Sequence, residues 1–166
     1  PAFARTGHKV AATMRNPEKY PELANITQSE NLSIAIYSLD VDSDTSVKEC
    51  VDRIRNEIGP IDVLVNNAGI ERIGTVEECS LDNFRAVMET NYFGVIRCIH
   101  AVLPEMVQRK SGCIINVASV AGQVASPSMS AYSASKFALE SLSEILAQEV
   151  KSSGVHVAIV EPGIID

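Results

Sequence analysis

Tyr132 and Lys136 are the residues whose types and spacing most clearly indicate catalytic chemistry, and Ser119 precedes them in the chain. The tyrosine and the lysine are four positions apart, so on a helix their side chains share one face. A phenol loses its proton at about pH 10, and a fixed ammonium nearby favours the phenolate. Such a tyrosine can exchange protons at neutral pH, while a serine hydroxyl holds a substrate oxygen. The three residues therefore predict a site that moves a proton on and off a carbinol or carbonyl.

The Tyr-x-x-x-Lys pair is a weak signal when it stands alone, because a tyrosine and a lysine at helix spacing are usually both solvated. Three further motifs make a catalytic role for the pair much better supported. They are Asn66-Asn67-Ala68-Gly69 after an apolar run, Asn91 within Thr90-Asn91-Tyr92-Phe93-Gly94, and Pro162-Gly163 after a second apolar run. In this order and spacing, the motifs resemble the short-chain dehydrogenase/reductase family, whose members use NAD(H) or NADP(H). The resemblance covers nearly all 166 residues.

The resemblance implies a catalytic group of four residues, namely Asn91, Ser119, Tyr132 and Lys136. Tyr132 is then the general acid in ketone reduction and the general base in alcohol oxidation. Ser119 hydrogen-bonds the substrate oxygen and stabilises developing charge. Lys136 favours ionisation of the tyrosine and bonds the nicotinamide ribose, and Asn91 holds a helix irregularity and a water that links Lys136 to solvent. Without these neighbours, Asn91 would be read as a solvated helix residue and Ser119 as a strand-end turn residue.

Further residues are expected at the cofactor. Asn67, Ala68 and Gly69 follow the carboxyl end of a strand, where ligands bind in open α/β sheets, although an ordinary turn would use the same residue types. The resemblance adds a second set, which consists of Asp40 and Val41 at the adenine and of Pro162, Gly163, Ile165, Tyr132 and Lys136. A helix-capping role for the aspartate, in the acidic stretch 40–44, remains the alternative.

Arg15 bears on the choice between NADP and NAD. An NAD-selective site usually carries a carboxylate after the second strand, where it accepts bonds from the ribose hydroxyls. The corresponding stretch here is Thr13-Met14-Arg15, which has no carboxylate. An arginine can bind the 2′-phosphate of NADP by charge-assisted hydrogen bonds, whereas the alternative is a solvated loop arginine. We therefore expect NADP, with NAD as a possible cofactor.

Composition bounds the class of protein. The 46% hydrophobic and 21% charged residues are typical of a globular protein, and no apolar stretch approaches the ~18 residues of a membrane span. A net charge of −7 argues against a nucleic-acid partner. The cysteines at 50, 79, 98 and 113 form no ligand-spaced cluster, so we expect reduced cysteines, a cytoplasmic location and no metal site.

Strand and helix patterns alternate along the chain, which predicts a doubly wound parallel α/β sheet in a single domain over 1–166. Strands are expected at 9–14, 33–39, 61–65, 113–117 and 155–160, and helices at 1–6, at 44–58 with Asp44 or Thr45 as cap, at 80–108 with Ser80 as cap, and at 130–152. The family's strand order is 3-2-1-4-5-6-7. The chain begins and ends inside that fold, so we expect the first strand, its glycine-rich loop and the C-terminal strand to be missing.

The patterns together predict an oxidoreductase that transfers a hydride between NADP(H) and an alcohol or ketone, and the resemblance extends to members that act on lipophilic alcohols and ketones. The alternatives are a non-catalytic cofactor-binding module, an inactive fragment of such an enzyme, and a related epimerase or dehydratase. We expect the full-length parent to be a homodimer or homotetramer, because the helix at 80–108 has apolar residues on more than one side. The isolated 166-residue chain is expected to be inactive.

Overall fold

The computed structural model describes residues 1–163, so Ile165 lies outside the described residues. The chain divides into two compact units, Pro1–Pro60 and Ile61–Asp166. Strands and helices alternate in both units and every strand pair is parallel, which confirms the predicted α/β class. None of the helices within residues 1–163 is long and apolar enough to cross a bilayer.

The first unit contains a two-stranded sheet. Its elements are α1 (Ala2–Arg5), β1 (Val10–Met14), a 3₁₀ turn (Pro17–Lys19), α2 (Pro21–Ser29), β2 (Ile34–Ser38) and α3 (Asp44–Glu57). β1 and β2 run parallel, with Val10 opposite Ile34 and Met14 opposite Ser38. The sequence patterns did not predict α2. That helix buries none of its residues, and its two half-buried apolar side chains, Leu23 and Ile26, are too few to mark a helical period in the sequence.

Helix α3 covers the first unit's core with one apolar stripe. Val47, Cys50, Val51 and Ile54 are buried along it, at the spacing that places side chains on one helix face. The predicted cap at Asp44 or Thr45 is wrong by one or two residues. Ser43 caps the helix, because its backbone is extended and its side chain accepts a bond from Ser46 N at 3.2 Å.

The second unit contains a three-stranded parallel sheet in the order β3-β4-β5. Its elements are β3 (Val63–Asn66), α4 (Leu81–Met88), a π turn (Glu89–Phe93), α5 (Gly94–Arg109), β4 (Gly112–Val117), a 3₁₀ turn (Val120–Gly122), α6 (Ser130–Glu149) and β5 (Val155–Val160). The apolar core between helices and sheet includes the fully buried side chains of Val87, Val102, Met106, Ile114 and Leu139. The strand order within each unit agrees with the order that the family implies.

The long helix expected at 80–108 consists of three consecutive pieces. Ser80 caps it as predicted and accepts a bond from Asn83 N at 3.2 Å. The π turn then interrupts the α-helical ladder between α4 and α5. Pro104 lies inside α5, which continues past it to Arg109. The predicted helix is therefore confirmed in extent, with an irregularity at Asn91 as expected.

Helix α6 is shorter than predicted, because it ends at Glu149 rather than near residue 152. Gly154 then turns the chain into β5 with a φ of +74°, and a Cβ there would lie 2.3 Å from Lys110 O. Only glycine fits this approach. At the other edge of the sheet, Val63 and Val65 of β3 are 52% and 46% exposed, although both are β-branched apolar residues typical of buried strands.

Candidate active site

Tyr132 and Lys136 lie in the first turns of α6, which begins at Ser130. The i, i+4 spacing places both side chains on one face, and Lys136 Nζ lies 5.6 Å from the centre of the Tyr132 ring. Lys136 is only 4% exposed, whereas Tyr132 is half-buried. An ammonium is thus fixed beside a phenol that remains accessible, as the sequence predicted.

The ammonium of Lys136 is held by the end of β4. Nζ donates to Val117 O at 2.7 Å, which is its one hydrogen bond to any residue within 1–163. Burial lowers the pKa of Lys136, and the Glu140 carboxylate one turn further along α6 partly offsets this effect. Two N–H donors of the ammonium therefore stay open toward a ligand. The Val117 carbonyl was not predicted, since no sequence pattern identifies a backbone acceptor.

Ser119 follows β4 and joins the strand to the next turn. Its backbone is extended, and its Oγ accepts a bond from Ala121 N at 3.2 Å, so the residue caps the 3₁₀ turn. The hydroxyl proton is not needed for that bond and can be donated to a substrate oxygen. Both interpretations of Ser119, as a turn residue and as a substrate-binding residue, are compatible with this geometry.

Asn91 lies in the π turn and is fully buried. Its Oδ1 accepts from Ile70 N at 2.8 Å, and its Nδ2 donates to Ile70 O at 2.9 Å and to Ser135 Oγ at 3.0 Å. These bonds use both amide hydrogens. The solvated helix residue of the alternative interpretation is therefore excluded, and the asparagine ties the segment after β3 to α6.

A second buried polar chain, which the sequence did not reveal, runs beneath the site. Asn66 Nδ2 donates to Asn116 Oδ1 at 2.9 Å, Asn116 Nδ2 donates to Ser143 Oγ at 2.8 Å, and Ser143 Oγ donates to Leu139 O at 2.7 Å. The chain links β3, β4 and α6, which carry the residues described above. Asparagines inside apolar strands were the one available signal, because a buried amide needs partners.

These elements enclose a cavity of about 310 Å³ within the second unit. It is lined by Asn67, Gly69, Ile70, Glu71, Val117, Ala118, Ser119, Tyr132, Lys136, Pro162 and Gly163. Most of the predicted site residues of this unit therefore share one cavity. Of the others, Asn91 does not line the cavity but bonds the backbone of Ile70, which does, and Ala68 is exposed next to Gly69. Ile70, Glu71, Val117 and Ala118 were not predicted, since they carry no motif of their own.

Arg15, Asp40 and Val41 lie in the first unit, after β1 and β2. Arg15 Nε donates to Asp40 Oδ1 at 3.0 Å and its Nη2 donates to Asp42 Oδ2 at 2.7 Å. Asp40 Oδ1 also accepts from Asp42 N at 3.1 Å, which closes a turn around the half-buried Val41. The aspartate therefore caps this turn rather than α3. The sequence did not predict the two ion pairs of Arg15.

Glu140 lies one turn after Lys136 on α6, and burial raises the pKa of its carboxyl group. The neighbouring Glu161 carboxyl raises it further, since two carboxylates repel each other. The Nε2 of Gln123 donates to Oε1 of Glu161. Glu140 Oε1 is buried and receives no bond from an N–H or hydroxyl of residues 1–163. Glu161 immediately precedes Pro162, which lines the cavity.

A family model for short chain dehydrogenases matches residues 1–166, which is the whole chain. The chain belongs to the short-chain dehydrogenase family. The resemblance drawn from the motifs at Asn67, Asn91 and Tyr132 is thereby confirmed. The family assignment also explains why the cavity is lined by the motif residues of the second unit, such as Asn67, Ser119 and Tyr132.

Two curated relatives illustrate the similarity. Oxidoreductase BOA17 of Botryotinia fuckeliana is 38% identical over 162 residues, which covers 98% of this chain and 58% of that protein. Retinol dehydrogenase 8 of Bos taurus is 39% identical over 160 residues, which covers 96% of this chain and 51% of that protein. The chain thus spans between half and three-fifths of the length of these relatives.

A solved structure shows the same fold. The gluconate 5-dehydrogenase of Burkholderia cenocepacia, in complex with NADP and tartrate, aligns with a TM-score of 0.91 at 30% identity. The alignment covers 99% of this chain and 64% of that protein. The predicted Rossmann-like architecture is thereby confirmed over the described residues.

Proposed function

We propose that the whole protein is an oxidoreductase that transfers a hydride between NADP(H) and an alcohol or ketone. The observation that carries the proposal is the one cavity that Tyr132, Ser119 and Lys136 line together, with Lys136 Nζ 5.6 Å from the centre of the Tyr132 ring. A cofactor-binding module without catalysis would need no proton donor beside a fixed ammonium. The family relationship supports the same conclusion, because it is a family of dehydrogenases.

The residues of the second unit fit a nicotinamide cofactor. Asn67, Ala68 and Gly69 are exposed at the carboxyl end of β3, where open α/β sheets bind ligands. A Cβ on Gly69 would lie 3.4 Å from Asn91 Oδ1 and 3.8 Å from Lys136 Nζ, so the glycine keeps the space beside the ammonium open. The two open donors of Lys136 suit ribose hydroxyls. When bound, the cofactor supplies or accepts the hydride.

The protein's own residues then handle the oxygen and its proton. In ketone reduction, the Ser119 hydroxyl donates to the carbonyl oxygen and holds it against developing negative charge. Tyr132 gives its proton to that oxygen as general acid, and it takes the proton back when an alcohol is oxidised. Lys136 stabilises the resulting phenolate by its charge, and Asn91 keeps the supporting segments in place. Pro162 and Gly163 close the cavity on the β5 side.

Arg15 supports NADP rather than NAD as the preferred cofactor. Its Nε and one hydrogen of Nη2 are used by Asp40 and Asp42, while Nη1 forms no bond within residues 1–163. That end of the guanidinium retains donors for a 2′-phosphate. The NADP complex of the gluconate 5-dehydrogenase agrees with this preference. Asp40 and Val41 are proposed to contact the adenine.

The substrate is proposed to be lipophilic, since one of the relatives is a retinol dehydrogenase. Apolar backbone neighbours of the catalytic residues, Ile70, Val117 and Ala118, line the same cavity. All four cysteines are free, which supports a reducing, cytoplasmic site of action.

We also propose a homodimer or homotetramer, although the first argument for it is weakened. That argument rested on six apolar residues of the helix at 80–108. Four of them, Val87, Val95, Ile99 and Val102, are buried in the chain itself, and Met88 and Ile96 are half-buried. Other apolar side chains on the same helices stay exposed, namely Phe93, Val107, Phe137 and Ile145. Light scattering of the full-length parent at micromolar concentration decides this point, and a monomer would refute it.

Steady-state turnover tests the function directly. The full-length parent is mixed with NADPH and a panel of aliphatic, aromatic and isoprenoid ketones and aldehydes, and the loss of NADPH absorbance is followed. We expect turnover, and we expect Ser119→Ala to lower kcat by roughly 10²-fold, as for one lost oxyanion donor. Tight binding of NADPH without turnover of any carbonyl would favour the non-catalytic module instead.

A further inference from the structure

Ser135 lies between the two catalytic residues of α6 in the sequence, yet no motif assigned it a role. It is fully buried, so its hydroxyl is not open to a substrate. Its Oγ donates to Tyr132 O at 2.7 Å and accepts from Asn91 Nδ2 at 3.0 Å. One hydroxyl thus joins the turn that carries the tyrosine to the π turn that carries the asparagine.

The bonds continue beyond Ser135. Asn91 holds both the N–H and the C=O of Ile70, at 2.8 and 2.9 Å. Ile70 follows Gly69 and lines the same cavity as Tyr132. The backbone of Ile70 is therefore connected through two buried side chains, Asn91 and Ser135, to the helix turn that carries Tyr132. Because the Asn91 and Ser135 side chains are fully buried, their bonds act in a low dielectric and the loss of one leaves an unpaired buried group.

We propose that Ser135 is a positioning residue, which sets the distance between Tyr132 and the Asn91–Ile70 segment for the reaction proposed above. Without the hydroxyl, one hydrogen of Asn91 Nδ2 has no partner among residues 1–163, and the π turn is free to move away from α6. A small displacement of a proton donor costs much of its rate while leaving ligand affinity intact.

Ser133 provides a matched control on the same helix. It is also a buried serine, but its Oγ has no hydrogen-bond partner within residues 1–163. Ser133→Ala removes a hydroxyl that nothing uses, whereas Ser135→Ala removes one that joins two elements. The two substitutions delete the same atom from the same helix, two positions apart, so their difference reports the bonds of Ser135.

The experiment compares both alanine variants of the full-length parent. We expect Ser135→Ala to lower kcat by roughly tenfold or more, with the Kd for NADPH within about twofold of the parent's. Ser133→Ala should keep kcat within about twofold. Equal kcat values for the two variants would overturn the proposal.

Two additions separate positioning from a general loss of structure. In an Asn91→Ala background the loss from Ser135→Ala should largely disappear, because the bond is already broken; an undiminished loss would overturn the proposal. If Ser135→Ala fails to fold, Ser135→Cys takes its place, since a thiol of similar size is a weak donor and acceptor. It should also lower kcat, and a parent-like value for it would count against the proposal.

Hydrogen exchange keeps this inference distinct from the proposed function. If the parent turns over no carbonyl, the proposed function fails, but the Ile70 amide still reports the connection. Its exchange should be faster in Ser135→Ala than in Ser133→Ala, because Asn91 Oδ1 loses its fixed position. Equal exchange rates in the two variants would overturn the role of Ser135.

Discussion

The two cationic side chains expected at the cofactor are held in opposite ways. Lys136 is almost fully buried and bonds a single backbone carbonyl, whereas Arg15 is about half-exposed and bonds two carboxylates. Burial removes water from the ammonium, which bonds no carboxylate within residues 1–163, and this desolvation lowers the pKa of Lys136. The exposed arginine is screened, so its ion pairs contribute little to stability. Burying the charge of Lys136 therefore lowers the stability of the fold, whereas the exposed charge of Arg15 changes it little.

The two residues depend on their surroundings to different extents. Lys136 on α6 has neighbours at the end of β4 (Val117) and after β3 (Gly69), so a change in any of these segments alters the position or the pKa of its ammonium. Arg15 depends on two acidic residues of one turn. We therefore expect substitutions in the second unit to change the chemical step, and substitutions around Arg15 to change only the choice of cofactor.

The largest effect is expected for Tyr132→Phe, which keeps the ring but removes the proton donor. The kcat of the full-length parent should fall by ~10²–10⁴-fold, the range for general acid–base catalysis. Binding of NADPH, measured by fluorescence titration, should change little. Tyr20→Phe is the control, since Tyr20 is 60% exposed in the first unit. Near-normal turnover in Tyr132→Phe would remove this residue from the mechanism.

Lys136→Met should separate activity from stability. We expect kcat to fall by roughly 10²-fold, near the lower end of the range for general acid–base catalysis, because the proton-donating tyrosine loses its cationic partner. The free energy of unfolding should rise or stay constant at neutral pH, since a desolvated charge is replaced by an apolar chain.

The pH dependence of stability follows from the lowered pKa of Lys136. Between the lowered pKa of Lys136 in the folded state and its ordinary pKa of 10.5, the unfolded chain binds more protons than the folded one. Stability from this group therefore rises with pH in that window. Denaturant titrations at several pH values should show the rise in the parent and not in Lys136→Met, with the exposed Lys151→Met as control. A rise that persists in Lys136→Met would contradict this assignment.

Arg15→Ala should reduce the preference for NADP over NAD by about 1–3 kcal/mol, the range for hydrogen bonds to charged groups. Kinetics with NAD should change little. Arg5→Ala is the matched control, because Arg5 also bonds a carboxylate, Glu30 Oε2, at 2.7 Å in the same unit. An equal weakening of both cofactors in Arg15→Ala would show that the arginine serves the structure.

Asp42→Asn sharpens the same test. The amide oxygen can still accept from Arg15 Nη2, but the negative charge that competes with a phosphate is gone. We expect the Kd for NADP to fall severalfold and the Kd for NAD to stay constant, as measured by calorimetry. A weaker affinity for NADP would show that the charge of Asp42 is needed to orient the arginine.

The smallest effect is expected for Glu140→Gln. Because burial and the Glu161 carboxyl raise the pKa of Glu140 in the folded state, the unfolded chain loses this proton first as the pH rises through the ordinary pKa of 4.5. The stability contribution therefore falls with increasing pH through that window. The amide stays neutral and can donate to Glu161, so thermal unfolding of this variant should depend less on pH. Glu149→Gln at the end of α6 should behave like the parent, and an equal pH dependence in Glu140→Gln would contradict the assignment.

Motif residues and strands with strong apolar runs were predictable, because their signals are local. Tyr132 and Lys136 are fixed by helix spacing, β5 is found at 155–160 as expected, and Ser80 is read from its position before an apolar helix. Helix α2 escaped prediction because it buries no residue. The cap of α3 was misplaced because Ser43, Asp44 and Thr45 are all good capping residues, and backbone conformation selects among them.

The sequence by itself determined the residue types of the catalytic group, the alternation of strands and helices, and the family. Tertiary structure alone decided which partner each of these residues has. Each of these partners lies 19 or more positions away in the chain. Lys136 bonds Val117 O, Asn91 bonds Ser135, and Arg15 bonds Asp40 and Asp42. Such contacts leave no local pattern, because they arise only when distant segments pack together.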